Sequence, residues 1–220
     1  CRENKGPYRA IERFKYFAGR VSKNHTKTCY VLKCDIQKFF ANIDHVVLMR
    51  ILARHIKDLD LFRLLNRVIS SFYAERPGVG LPLGNLTSQL FANIYLHEFD
   101  LYLKQELKVK YYIRYGDDFV ILSENRKYLE GILQKMNEFL NEKLRLKLHP
   151  EKVYIKTYAS GIDFLGWVNF IHHRQIRTRT KRKIMRELSG YPRREALNSY
   201  LGLLKHGNTY KLRKALIPDS

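Results

Sequence analysis

Apolar residues recur at helical spacing along "YRAIERFKYFAGRV" (8–21), at Ala10, Phe14, Phe17 and Val21, with Arg and Lys between them. Side chains three and four apart share one face, so this spacing predicts an amphipathic helix. "CYVLKCDI" (29–36) is a short apolar run of strand formers and predicts a strand that ends at Asp35. "QKFFANIDH" follows as a turn, and Asp44 is placed to cap a helix over 45–56. A further helix is predicted over 59–74, and "ERPGVGLPLGN" (75–85), with three Gly and two Pro, reads as loop. Helical periodicity returns over 86–107 in Leu90, Ile94, Phe99 and Leu103.

Residues 109–115 and 118–122 predict two strands joined by a turn at Gly116–Asp117. Leu129, Ile132, Leu133, Met136, Phe139 and Leu140 form one face of a helix over 126–143. Strands follow at about 153–158 and 162–170, then helical stretches at about 180–188 and 193–204. There is no internal repeat and no low-complexity segment. The order helix, strand, helices, hairpin, helix, strands predicts an α+β domain with a mainly antiparallel sheet.

Charge adds a partner to this picture. The 220 residues hold 41 Lys and Arg against 21 Asp and Glu, a net charge of +20. So large an excess points to a polyanion, above all nucleic acid. It is unevenly placed: residues 171–220 carry 13 Lys and Arg against 3 acids, and residues 1–33 carry 9 against 2. A near-neutral centre between two basic ends suits a catalytic core flanked by elements that hold phosphates. Cys1, Cys29 and Cys34 make no metal spacing, and their odd number argues against a disulfide framework, so an intracellular, cytoplasmic protein is expected. No apolar run is long enough to cross a membrane, and no signal peptide is visible. The chain begins at Cys1 rather than Met, which points to a fragment or a trimmed chain.

The candidate chemistry lies in "YYIRYGDDFVIL" (111–122), where Asp117 and Asp118 stand side by side between apolar flanks. Burying two carboxylates is costly unless something compensates their charge. A hairpin turn projects such a group from a rigid support, and a carboxylate from a second strand end would complete a hard-oxygen pocket for Mg²⁺. Asp35 ends an apolar strand as Asp117 does, so the two can meet in an antiparallel core. Two Mg²⁺ ions could then clamp the attacking and leaving oxygens of a phosphoryl displacement. In isolation, "GDD" reads first as a plain hairpin turn, with Asp117 and Asp118 as turn residues. His45, His97, His172 and His173 lack ligand spacing and read as structural or surface residues.

"VLKCDIQKFF" upstream of "YGDD" (115–118) resembles the reverse transcriptases. The resemblance extends over most of the chain and rests on ordered motifs. Asp35, with Phe40 five residues on, resembles palm motif A; "GLPLGNLTSQLFANIYL" (80–96) resembles motif B; "YGDD" is motif C. "LKLHPEK" (146–152) resembles motif D, and "FLGW" (164–167) resembles the primer grip. This implies a right-hand polymerase: partial fingers over 1–33, with their N-terminal part missing, a palm over 34–172 and a short basic helical thumb over 173–220. It implies Asp35, Asp117 and Asp118 as catalytic groups. With Ile36 these would hold two Mg²⁺, for which Mn²⁺ can substitute. Lys152 matches the lysine that protonates the departing pyrophosphate. Ile36, Phe40, Leu83, Gly84 and Gln89 fall at the dNTP. Viral RNA-dependent RNA polymerases also carry "GDD", but usually place a polar Asp where Phe40 stands. An aromatic ring there leaves a ribose 2′-hydroxyl unpaired and favours dNTPs.

Motif B departs from most of the family: Leu83 stands for glutamine and Gln89 for proline. That pattern resembles the enzymes of diversity-generating retroelements, whose cDNA carries errors opposite template adenines. Leu83 would remove a polar contact beside the nascent base pair. Retron, group II intron and defence-associated enzymes are the alternatives, and a polymerase-like RNA-binding module without catalysis is another. The resemblance implies an RNA template, a DNA or RNA primer and dNTPs, and for the subgroup a structured template RNA and a small basic accessory protein. The host would be a bacterium, phage or related mobile element. Ser88, Tyr115, Phe164, Leu165, Gly166, Trp167, Arg179, Lys181 and Arg182 are expected along primer and template. One of Arg2, Lys5 and Arg13 is expected at triphosphate or template backbone.

Overall fold

The computed structural model describes residues 6–188 and 194–216. The chain divides into two compact units, one formed by residues 32–155 and one by residues 1–31 with 156–220. Arg2 and Lys5 lie outside the described residues.

Strand β1 (Tyr30–Asp35) enters the 32–155 unit, followed by helices α2 (His45–Ala53), α3 (Leu59–Ser70) and α4 (Leu86–Leu101), α1 lying earlier at Pro7–Val21. Strands β2 (Tyr112–Tyr115) and β3 (Asp118–Ser123) form an antiparallel hairpin, helix α5 spans Arg126–Leu144, and β4 spans Tyr154–Thr157. The sheet order is β2–β3–β1–β4. Phe119, Val120, Ile121 and Leu122 are all buried, as expected of a central strand covered on both faces. Leu129, Ile132, Met136 and Leu140 of α5 are buried, and Phe99 of α4 meets Phe119 edge to face at 5.3 Å. Helix starts follow the expected chemistry: Asp44 accepts from Val47 N–H, Asp58 from Leu61 N–H and Asn125 from Tyr128 N–H.

In the other unit, α1 buries Ile11, Phe14, Phe17, Ala18 and Val21, with Phe14 against Tyr158 and Phe164. Strands β5 (Ile162–Phe164), β6 (Trp167–Asn169) and β7 (Arg174–Ile176) form a small antiparallel sheet. Helices α6 (Thr178–Glu187), α7 (Arg194–Leu204) and α8 (Tyr210–Leu216) gather around Ile184, Leu188, Leu204 and Leu212. No helix among the described residues is long and apolar enough to cross a membrane.

The α+β architecture and antiparallel sheet are as the sequence predicts; several element ends differ. The helix expected to 107 is α-helical only to Leu101 and continues as a π-helical turn over Tyr102–Glu106. Lys108 then turns left-handed, and Val109 N–H donates to Leu103 carbonyl, so the next strand starts at Tyr112 rather than 109. The continuous strand expected over 162–170 is a hairpin, because Leu165 and Gly166 both adopt positive φ (52° and 86°) between paired Phe164 and Trp167. Two such residues make the tight turn that matches strand twist. The stretch expected as a turn after β1 contains a 3-10 turn at Phe39–Asn42, and β7 and α8 are elements the sequence pattern does not show.

Candidate active site

Asp35 and Asp117 meet as their strand-end positions predict. Ile36 N–H donates to the Asp117 carbonyl at 3.3 Å, joining the end of β1 to the turn of the β2–β3 hairpin. In that hairpin Tyr115 pairs with Asp118, which leaves Gly116 and Asp117 as the two-residue loop. Gly116 has φ +63°, so glycine takes the first central position that a type II′ turn demands. The segment after α5 closes the third side: His149 N–H donates to Asp35 carbonyl at 2.8 Å, and Gln37 N–H to Lys147 carbonyl at 2.9 Å. A 3-10 turn at Pro150–Lys152 then brings Lys152 Nζ to 3.1 Å from Asp35 Oδ1.

Lys33 was not singled out by the sequence, yet it belongs here. It lies two residues before Asp35 and therefore on the same face of β1. Its side chain is only 6% exposed, and its ammonium is ion-paired with Asp118. A lysine inside an otherwise apolar strand is the signal that could have found it. Arg114 was also missed. It grips Asp100 of α4 with two bonds, 2.9 and 2.6 Å, and donates to Gly116 carbonyl at 3.1 Å. Tyr112 hydroxyl donates to the same Asp100 at 2.7 Å. The turn that carries Asp117 is thereby tied to α4.

Burial pushes the Asp117 carboxyl above its ordinary range; the charge of Asp35 adds to this, and Lys152 and Lys33 oppose it. Burial likewise raises Asp118, opposed by the bound Lys33 and aided by Asp35 and Asp117. Asp117 thus feels the charge of Asp35, and Asp118 that of both Asp35 and Asp117, a crowding that a divalent cation relieves. Their hard oxygens fit Mg²⁺ or Mn²⁺. Among the described residues, however, no three Asp, Glu, His or Cys side chains form a group poised to hold a metal. Asp35 is engaged by Lys152 and Asp118 by Lys33.

Ile36 has a buried side chain, so only its main chain can contribute to a site. Phe40 is half-buried, its ring 5.5 Å from Phe39, and its carbonyl accepts from Leu81 N–H at 2.8 Å. That bond sets Phe40 against the start of the 80–96 stretch. Leu83 is 78% exposed, and Gly84 takes φ +96° with nothing within 4 Å of where a Cβ would be. Its backbone is open to a close approach. Gln89 is exposed in the first turn of α4, and Tyr115 is partly exposed. Ser88 is buried, and so are Phe164 and Trp167. These three side chains are core residues, which corrects the expectation of direct contact with primer or template. Leu165 and Gly166 form the turn between them, and Arg179, Lys181 and Arg182 project from α6 as exposed charges. Arg13 lies over the Phe17 ring at 5.0 Å, and His45 is structural, bonded to Gly80 carbonyl at 2.7 Å.

A β1 strand and a tight hairpin presenting acidic residues, on a sheet flanked by helices, define a polymerase palm. The chain belongs to the family described as reverse transcriptase (RNA-dependent DNA polymerase), whose model matches residues 7–169. Among curated proteins it is 28% identical over 210 residues to Protein YkfC of Escherichia coli, covering 79% of this chain and 54% of that protein. It is 26% identical over 238 residues to the group II intron-encoded protein LtrA of Lactococcus lactis, covering 77% of this chain and 38% of that protein. It therefore spans about half the length of the first relative and less of the second. Among solved structures, telomerase from Candida tropicalis in complex with a TWJ fragment of telomeric RNA matches with TM-score 0.61. The identity is 12%, over 90% of this chain and 37% of that one, a likeness of fold alone.

Proposed function

We propose that this chain is the palm-bearing part of an RNA-directed DNA polymerase that extends a primer with dNTPs along an RNA template. The observation that carries the reading is the bond from Ile36 N–H to Asp117 carbonyl, which gathers Asp35, Asp117 and Asp118 at one end of a rigid sheet. Asp35, Asp117 and Asp118, with the Ile36 main chain, would hold two Mg²⁺ or Mn²⁺, which when bound polarise the phosphoryl oxygens and offset developing charge. Phe40 bounds the sugar of the incoming nucleotide and excludes a 2′-hydroxyl. Gly84 lets the backbone approach that nucleotide, with Leu83 and Gln89 beside the base. Lys152, exposed and within reach of the carboxylates, is placed to give a proton to the departing pyrophosphate. Tyr115 and the Leu165–Gly166 turn lie along the primer. Arg179, Lys181 and Arg182 hold phosphates without reading sequence, as a thumb would. Residues up to 33 serve as fingers, and the enzyme works in the cytoplasm of a bacterium or in a mobile element.

Leu83 and Gln89 extend the reading to the diversity-generating subgroup, with a structured template RNA and a basic accessory protein as its partners. Similarity to a group II intron-encoded protein favours a second reading, a group II intron reverse transcriptase outside the error-prone subgroup. The test is primer extension on an adenine-containing RNA template with dNTPs or rNTPs, with Asp117→Asn alongside. DNA synthesis that the variant loses supports the polymerase; errors concentrated opposite adenine support the subgroup. Accurate synthesis selects the second reading. RNA binding without synthesis, also when an upstream fingers segment is supplied, sinks both.

A further inference from the structure

The peptide that joins Gly80 to Leu81 is held from both sides. Its N–H, that of Leu81, donates to the Phe40 carbonyl at 2.8 Å, and its carbonyl, that of Gly80, accepts from His45 Nε2 at 2.7 Å. We propose that His45 is a positioning residue for sugar selection: by clamping this peptide it holds Phe40 at the ribose of the incoming nucleotide. This deepens the function proposed above, since it names what sets the selectivity of the same site, and it rests on that reading.

Local chemistry explains why a clamp is needed. Residues 40–45 and 78–81 run side by side as a short irregular ladder. Gly80 N–H donates to Ile43 carbonyl at 2.8 Å, His45 N–H donates to Gly78 carbonyl at 3.0 Å, and Asp44 and Val79 form an antiparallel bridge. Gly80 sits at φ +109°, where an added Cβ would come within 2.7 Å of Ala74 Cβ, so glycine is required. Glycine, however, leaves its own backbone with a wide choice of conformations. Sterics alone do not decide which way the Gly80 carbonyl points, and hydrogen bonds must.

His45 supplies the deciding bond. It is buried and opens α2, a helix start held by Asp44, which caps Val47 N–H and pairs with Arg145 at 2.7 Å. The backbone that carries His45 is therefore anchored apart from the loop it holds. A carbonyl only accepts, so Nε2 carries the proton. Gly80 is itself buried, and without that donor its carbonyl would be left unpaired in the interior. The peptide would then turn to find another donor and release the Phe40 carbonyl. The two bonds also reinforce each other, because accepting at the carbonyl polarises the N–H of the same peptide. A histidine that served packing alone could be replaced by an apolar side chain; one that serves the clamp can be replaced only by another donor.

The test compares His45→Leu, which removes the donor, with His45→Gln, whose amide can stand where Nε2 stands. Primer extension, with an upstream fingers segment supplied, reads the ratio of kcat/KM for rNTP over dNTP. His45→Leu should raise that ratio about fivefold, the worth of one neutral hydrogen bond, and His45→Gln should return it to within about twofold of the parent. Because His45 acts through Phe40, adding His45→Leu to Phe40→Ala should raise the ratio no further. On the chain alone, hydrogen exchange at the Leu81 amide should quicken in His45→Leu while the β3 amides hold their protection. An unchanged ratio in His45→Leu, where Phe40→Ala does change it, overturns the inference and leaves His45 to packing. So do additive effects in the double variant, or Leu81 exchange that stays as in the parent. If His45→Leu does not fold, His45→Asn, whose amide stops short of the Gly80 carbonyl, takes its place and the same readings decide. A parent that makes no DNA, or a ratio indifferent to Phe40→Ala, sinks the proposed function or its gate, and this inference with it.

Discussion

Asp117 carries opposite demands. In the role proposed for it, its carboxyl must be charged to hold a cation, yet burial and the neighbouring Asp35 favour the protonated form. A folded-state value above the unfolded one means that the native chain binds this proton more tightly. The stability so gained is full below the ordinary carboxylate range, and it is lost as pH rises from there toward the folded value. Asp117→Asn removes that loss. Without divalent ions at pH 7, the variant should melt a few degrees above the parent, roughly 2–4 °C for each kcal/mol recovered, and the gap should close near pH 4. Differential scanning calorimetry across that range checks it; a gap independent of pH would contradict it. Phe40 poses a separate question of shape. Half-buried and fixed against the Leu81 amide, it has little room to retreat from a ribose hydroxyl. Phe40→Ala should raise rNTP use relative to dNTP by at least about tenfold, read as the ratio of kcat/KM values. An unchanged ratio would return Phe40 to simple packing.

At the scale of elements, the β2–β3 hairpin depends on α4 through Arg114. Arg114 and Asp100 side chains are 11% and 21% exposed, so removing the guanidinium leaves a carboxylate largely buried with only Tyr112 to bond it. Arg114→Met should cost ~3 kcal/mol, near a 10 °C fall in melting temperature. Adding Asp100→Asn should recover part of that loss. If the double variant is no more stable than the single one, the coupling is absent. This hairpin was legible in the sequence because glycine stands where the turn requires a positive φ and short apolar runs flank it on both sides. The 165–166 hairpin was not legible, because leucine occupies a left-handed position that side chains rarely adopt. Pattern sees propensity, and there tertiary packing of Phe164 and Trp167 overrides it. Asp35 and Asp117 were legible as strand ends, since position alone implied that they meet. Lys33 was not, because a charge in a buried strand makes sense only once its partner, 85 residues away, is known. Ser88 was misread for the converse reason: a helix's first turn reads as exposed until the neighbouring packing buries it.

For the whole molecule, charge sets the terms of binding. A net +20, with Arg179, Lys181 and Arg182 exposed on one helix, implies affinity for nucleic acid that falls steeply with salt. Replacing all three by Ala should weaken RNA–DNA hybrid binding at low salt. It should also reduce the slope of log affinity against log salt by about 2 to 3, one released counterion for each lost phosphate contact. Fluorescence anisotropy at several salt concentrations measures it. A parallel line displaced downward would mean the three residues act without touching phosphate.

Cys34 sits between Lys33 and Asp35, wholly buried, its thiol raised in pKa first by that burial. Cys29, at the approach to the same strand, is pushed up to about 12 for the same cause. Neither is a thiolate at neutral pH, and neither meets solvent, so an alkylating reagent can reach Cys34 only when β1 comes away from its neighbours. The chain therefore contains its own clock for the opening of its central strand. Peptide-resolved alkylation of Cys34 should be slow in the native protein and slower still with Mn²⁺ bound. Its rate would then report, at a single atom, how firmly bound cations clamp that strand.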